Sequence, residues 1–172
     1  MNTYNEMKFR GEHSNILITS FKGKNNSSSL LLHKIRTSKS FDKIELTNSF
    51  KTSETELAGK LKNNYKYVIA LGQKPGVDKV YIELKAKKNA SNFDTNFPIN
   101  KIKKLFDDNN INYLVSVNAG NYLCNNIYYE GLKYIIENKL DTKMIFIHIP
   151  SVNKSNDLYE LAKIISEFID SD

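Results

Sequence analysis

The stretch VSVNAGNYLCNN (115–126) contains the single cysteine of the chain, Cys124. A thiol attacks or binds only as a thiolate, so its surroundings decide whether it does chemistry. Ahead of Cys124 the pair Ala119 and Gly120 permits a sharp turn, and behind it NIYYEGLKYIIEN (126–138) has helical apolar spacing. The spacing therefore puts Cys124 just after a strand, in the first turn of a helix or immediately before it. Unpaired amide N–H groups at such a position favour a thiolate and can also meet a developing oxyanion. The competing reading is a small apolar residue that fills a core, which is what most unpaired cysteines do.

A nucleophile needs a base, and the base needs an acid to orient it. His148 lies in MIFIHIP (144–150), toward the C-terminal end of an apolar strand. Ligand sites of open α/β sheets collect at that edge. Its apolar neighbours equally suit a core histidine with its hydrogen bonds satisfied. His13, in the leading segment, and His33, on a short helix, are weaker candidates. Glu83 interrupts VYIELKA, either as an ion-pair partner of Lys85 or Lys87 or as the carboxylate that steadies an imidazole. Each of the three lies near a strand end, although spacing alone does not bring them together.

The elements that must position these residues alternate along the chain. ILITSF (16–21), YVIALG (67–72) and MIFIHIP (144–150) are apolar runs that suit buried strands. FDKIELTN (41–48) fits an edge strand, KVYIELKAK (79–87) a half-exposed strand, and NYLVSVN (112–118) a further strand. Helices are expected at LLLHKIR behind a serine cap and at SETELAGKLKNN (53–64), where Ser53 and Glu56 have capping-box spacing. Three more are expected at PINKIKKLFDDNN (98–110), at 126–138 and at DLYELAKIISEFID (157–170). Strands alternating with helices imply a single-domain α/β sandwich, residues 15–172, with a largely parallel sheet. Residues 1–14 read as a flexible N-terminal tail.

Composition narrows the class. The 172 residues are 40% hydrophobic and 26% charged, ordinary for one globular domain. No apolar run approaches the roughly 18 residues a membrane span requires. The polar start MNTYNEMKFRGEHS lacks a signal-peptide core, and one cysteine cannot form an internal disulfide, so a cytoplasmic protein is expected. The net charge of +6 comes from dispersed lysines, densest between Lys74 and Lys104. Without arginine–aromatic interleaving this reads as a solvated basic surface, with no nucleic-acid or membrane partner.

Several segments resemble one family. SVNAGNYLCNNIYYEGL is similar to the S-N-S/T-A-G-x-F/Y-x-C-N segment around the nucleophile of the pyroglutamyl peptidase I (pyrrolidone-carboxylate peptidase) family of cysteine peptidases. FIHIP (146–150) resembles that family's F-I-H-V-P around its histidine, and LGQKPGVDKVYIE (71–83) its G-L/Q-A-x-G-R…E-R-V-A region ending in a glutamate. ILITSF and FPINKIKKLFDDNNINYLVSV follow in order, so the resemblance runs from Ile16 to the last helix. It implies a catalytic triad of Glu83, Cys124 and His148, with Phe21, Gln73 and Tyr122 at substrate-binding positions. It also implies a three-layer α/β domain with a twisted central sheet and helices on both faces, and homo-oligomeric assembly. The implied reaction removes an N-terminal pyroglutamate, or a related small acyl group, from a peptide or small amide through a thioester. No metal or cofactor is called for.

The chain reads as a divergent, shortened member. Lys24 stands where a second pocket aromatic belongs, Val77 where an arginine follows the glycine, and Leu84 where an arginine follows the glutamate. LKAKKNASNFDTN (84–96) replaces a long loop at the pocket rim. These departures keep a second reading open, a catalytically impaired homologue that binds a small ligand or partner.

Overall fold

Strands that are apolar along most of their length have no side to offer water and must be covered on both faces. The computed structural model, which describes residues 14–153 and 158–172, puts three such strands side by side in the middle of a sheet. In chain order the elements are β1 (Ile16–Phe21), α1 (Ser27–Lys34), β2 (Asp42–Leu46), α2 (Phe50–Leu61), β3 (Tyr67–Lys74), β4 (Val80–Glu83) and β5 (Lys85–Lys88). They continue with β6 (Ser91–Asp94), α3 (Ile99–Asp108), β7 (Tyr113–Ser116), α4 (Leu123–Glu137), β8 (Lys143–Pro150) and α5 (Leu158–Ser171). The six-stranded sheet has the order β2-β1-β3-β8-β4-β7.

Pairing is parallel throughout except between β4 and β8, which run antiparallel. The α/β sandwich with a largely parallel sheet is therefore present. One face is covered by α1, α3 and α5, whose Leu31, Phe106 and Phe168 pack with Ile69 and Ile147. The other face is covered by α2 and α4, whose Leu57, Ile127 and Tyr128 pack with Val68, Met144 and Phe146. Alternation along β3 and β8 sends successive side chains to these two cores in turn.

Several local expectations are corrected. The strand expected over 79–87 breaks at Leu84, and its first part is buried rather than half exposed: Val80, Ile82 and Glu83 are all inside. Beyond Leu84 the chain leaves the sheet as the β5–β6 hairpin, closed by a turn in which Asn89 adopts positive φ. Asn125 of α4 holds the hairpin, accepting from Lys87 N at 3.0 Å and donating to Lys87 O at 2.6 Å. Helix α2 opens at Phe50 behind Ser49, not at Ser53. Ser53 is buried and returns its hydroxyl to Ser49 O, while Glu56 reaches back to Thr47 N and Thr47 Oγ1. Helix α1 is capped by Asn26, which accepts from Ser28 N.

The tail expected over 1–14, with His13, lies outside the described residues except for Ser14. That residue is buried and bonds Ser40 O at 2.9 Å. Among the described residues no helix is long and apolar enough to cross a membrane. None holds a group of three or more His, Cys, Asp or Glu side chains suited to a metal ion.

Candidate active site

The antiparallel strand β4 gives the site its acid. Glu83 is paired in register with Phe146, two residues short of His148, and Tyr81 is paired with His148 itself. Residues two apart on neighbouring strands share a face and come within reach of long side chains. Accordingly His148 Nδ1 and Glu83 Oε1 lie 2.8 Å apart, with Glu83 fully buried and His148 3% exposed. The ring of His148 also stands 4.9 Å from that of Phe146. Glu83 is thus bonded to the imidazole rather than to Lys85, whose ammonium is 3.1 Å from Asp94. Tyr128 of α4 donates to Glu83 O at 2.7 Å and pins the end of the strand. The second carboxylate oxygen, Oε2, is buried with no partner in the structure.

Helix α4 brings the thiol to the same face. Gly120, at φ +87°, makes the turn before the helix, a conformation that suits glycine, and its N–H is held by Asn118 Oδ1 at 3.1 Å. The helix then starts at Leu123, so Cys124 stands in its first turn, earlier than the expected start at residue 126. Its N-terminus has no side-chain cap, leaving first-turn amides free of helical partners.

The sulfur lies directly over β3. A methyl group added to Gly72 would come within 2.6 Å of Cys124 Sγ and 2.7 Å of Phe146 Cζ. Gly72 is paired in register with His148. The sulfur therefore stands over the column next to that of His148, neighbouring strands of a sheet being about 4.8 Å apart.

The thiol is not simply activated by the helix terminus, as the sequence suggested. Burial pushes its pKa up to about 12, Lys74 pulls it down, Glu83 pushes it further up, and its own backbone N–H pulls it down. The resting group is a neutral thiol, and ionising it requires a proton acceptor or a cation at hand.

The remaining expected residues are spread around this centre. Phe21 is buried at the end of β1, in the apolar cluster against which Cys124 packs. Tyr122 is 71% exposed and meets Phe50 edge to face at 5.5 Å between ring centroids. The Gln73 side chain is engaged by α1, its Oε1 accepting from Ser27 N at 2.8 Å, and so is not gathered beside the sulfur. Two residues that the sequence reading did not place in the site belong here: Gly72, through its missing side chain, and Lys74, whose Nζ is 3.7 Å from Glu83 Oε1.

Known proteins similar to this chain come from one family. A family model described as pyroglutamyl peptidase matches residues 83–159, which include all three candidate catalytic residues. The pyrrolidone-carboxylate peptidase of Oceanobacillus iheyensis is 35% identical over 83 residues, spanning 48% of this chain and 39% of that protein. The chain thus matches about two fifths of that relative's length. The pyrrolidone-carboxylate peptidase of Brachyspira hyodysenteriae is 30% identical over 135 residues, covering 65% of this chain and 67% of that one. The crystal structure of pyrrolidone carboxyl peptidase from Fervidobacterium islandicum superposes with a TM-score of 0.79 at 20% identity, over 91% of this chain and 96% of that chain. At that identity the superposition speaks for the fold alone. With two thirds of the Brachyspira protein covered at 30% identity, and with the family model matched, this chain belongs to the pyroglutamyl peptidase family.

Proposed function

We propose that the chain is a cysteine peptidase that removes an N-terminal pyroglutamate, or a related small acyl group, from a peptide or small amide. The observation that carries this reading is the buried 2.8 Å contact between Glu83 and His148, on the sheet face where Cys124 Sγ lies against Gly72. With Glu83 fixed at Nδ1, that nitrogen carries the proton and Nε2 keeps its lone pair. His148 Nε2 takes the thiol proton as the sulfur attacks the amide carbon, and Glu83 stabilises the imidazolium that results. Free first-turn amides of α4 suit the oxyanion, each such donor being worth on the order of 3 kcal/mol. The C–N bond then breaks, the leaving amine taking the proton from His148. Water, deprotonated by the same imidazole, cleaves the thioester, returning the thiol and releasing the free acid.

On this reading Phe21 and Tyr122 border the acyl group, and the partner is the peptide or small-amide substrate, with no nucleic acid or membrane involved. Homo-oligomerisation belongs to the same proposal. The exposed apolar Leu114, Val115 and Val117 at edge strand β7 support it, and sedimentation velocity tests it. A fluorogenic pyroglutamyl amide tests the activity. The wild type should release the fluorophore and Cys124→Ala should not; equal rates in the two proteins would remove the peptidase reading.

A further inference from the structure

Glu83 is a charged group with no solvent exposure, and one of its two oxygens is unpartnered. A neutral imidazole donates one hydrogen bond to such a carboxylate but does not cancel its charge, and a buried unpaired charge is expensive. Among the described residues, the one lysine or arginine within 4 Å of that carboxylate is Lys74. It is the last residue of β3, paired in register with Pro150 of β8, two residues beyond the apolar run that ends at Gly72. Its ammonium stands 3.7 Å from Glu83 Oε1, the oxygen that also bonds His148, and 4.9 Å from the centre of the Tyr81 ring. The side chain is 27% exposed, so the charge sits at the mouth of the site and not inside it.

We infer that Lys74 is a positioning residue for the peptidase chemistry, its ammonium anchoring the Glu83–His148 pair and supplying the positive charge that the attacking sulfur needs. This rests on the peptidase reading of the same site. The charges that reach the sulfur are Glu83 of β4, which opposes the thiolate, and Lys74 of β3; His148 of β8 is the proton acceptor on the peptidase reading, and Tyr128 of α4 is committed to Glu83 O. Lys74 acts in the opposite sense to Glu83, pulling the thiol down where the carboxylate pushes it up. Removing that cation therefore pushes the ionisation of the thiol to higher pH.

The test compares wild type, Lys74→Met and Lys74→Arg by kcat/KM for a pyroglutamyl amide against pH, and by iodoacetamide alkylation of Cys124 against pH. In K74M the alkylation profile of Cys124 should slide to higher pH by about one unit, and kcat/KM should fall roughly tenfold at neutral pH. Alkylation at neutral pH should slow by a similar factor, and K74R should restore both. A merely structural lysine would lower kcat/KM without moving the alkylation profile, and that result overturns the inference. If the wild type hydrolyses nothing, the peptidase reading falls, while the alkylation comparison still decides whether Lys74 serves the sulfur.

Discussion

Replacing Gly72 by alanine is the most searching perturbation, because one methyl group meets both the fold and the chemistry. The new Cβ would stand 2.6 Å from Cys124 Sγ, 2.7 Å from Phe146 Cζ and 2.9 Å from Phe146 Cε1. Non-bonded atoms prefer separations of about 3.5 Å or more, so something must retreat by about 1 Å. Phe146 has nowhere to go, being fully buried with its ring centroid 5.7 Å from that of Tyr128 and 4.9 Å from that of His148. The sulfur, at the start of α4, has to yield. Overpacking of this kind costs roughly 1–3 kcal/mol. In a chain of this length each kcal/mol lowers Tm by about 2–4 °C, so a fall of roughly 2–12 °C is expected. Moving a nucleophile by about 1 Å also costs on the order of a hundredfold in rate. Thermal unfolding and pyroglutamyl-amide hydrolysis should therefore both report the change. Gly59→Ala is the control: exposed on α2 with nothing within 4 Å of the added carbon, it should stabilise by about 0.5–1 kcal/mol. A Gly72→Ala protein with wild-type Tm and wild-type rate would refute the placement of Cys124 over β3.

Glu83→Gln should cut kcat by about 10³–10⁴-fold while Tm holds or rises, since the amide removes a buried charge but no longer supports the imidazolium; a fall in Tm with unchanged rate would contradict this. Asn125→Ala deletes both bonds to Lys87 and should cost about 1–3 kcal/mol in urea unfolding, with faster hydrogen exchange confined at first to the β5–β6 hairpin. Asp170 is held below its usual pKa of 3.8 by the backbone N–H of Lys39 and then by Ser38. Its contribution is present above that usual value and is lost as pH falls through the lower folded one. The stability gap between wild type and Asp170→Ala, read by urea titration at neutral and acid pH, should therefore close in acid.

How much of this was legible in the sequence depended on how local the signal was. β1, β3 and β8 were evident because an unbroken apolar run leaves few alternatives. The segments around Cys124 and His148 put the two residues near a helix start and toward a strand end, where the structure has them, although the helix opens three residues earlier than expected. The direction of β4 was not legible: alternating strands and helices favour parallel neighbours, and only pairing with β8 reveals the reversal that lowers Glu83 into the core. The hairpin was hidden because KAKKNASNFD carries no clear two-residue apolar alternation, and its turn uses Asn-Ala instead of a glycine pair. Ser53 and Glu56 had the spacing of a cap yet bond elsewhere, since the helix begins a turn earlier for reasons that lie in the loop after β2. Lys74 was indistinguishable from surface lysines until β3 was seen to extend past Gly72.

The place of β8 in the sheet also sets the order of assembly. It follows every other strand along the chain yet lies between β3 and β4. On the ribosome the earlier strands therefore emerge with two raw apolar edges and a gap between them, filled only once residues 143–150 arrive. Such non-local closure is slow, and open edges of this kind invite pairing with other chains. A nascent copy halted before that strand would need a chaperone to shield the gap, and the same late insertion that seals the sheet delivers the imidazole.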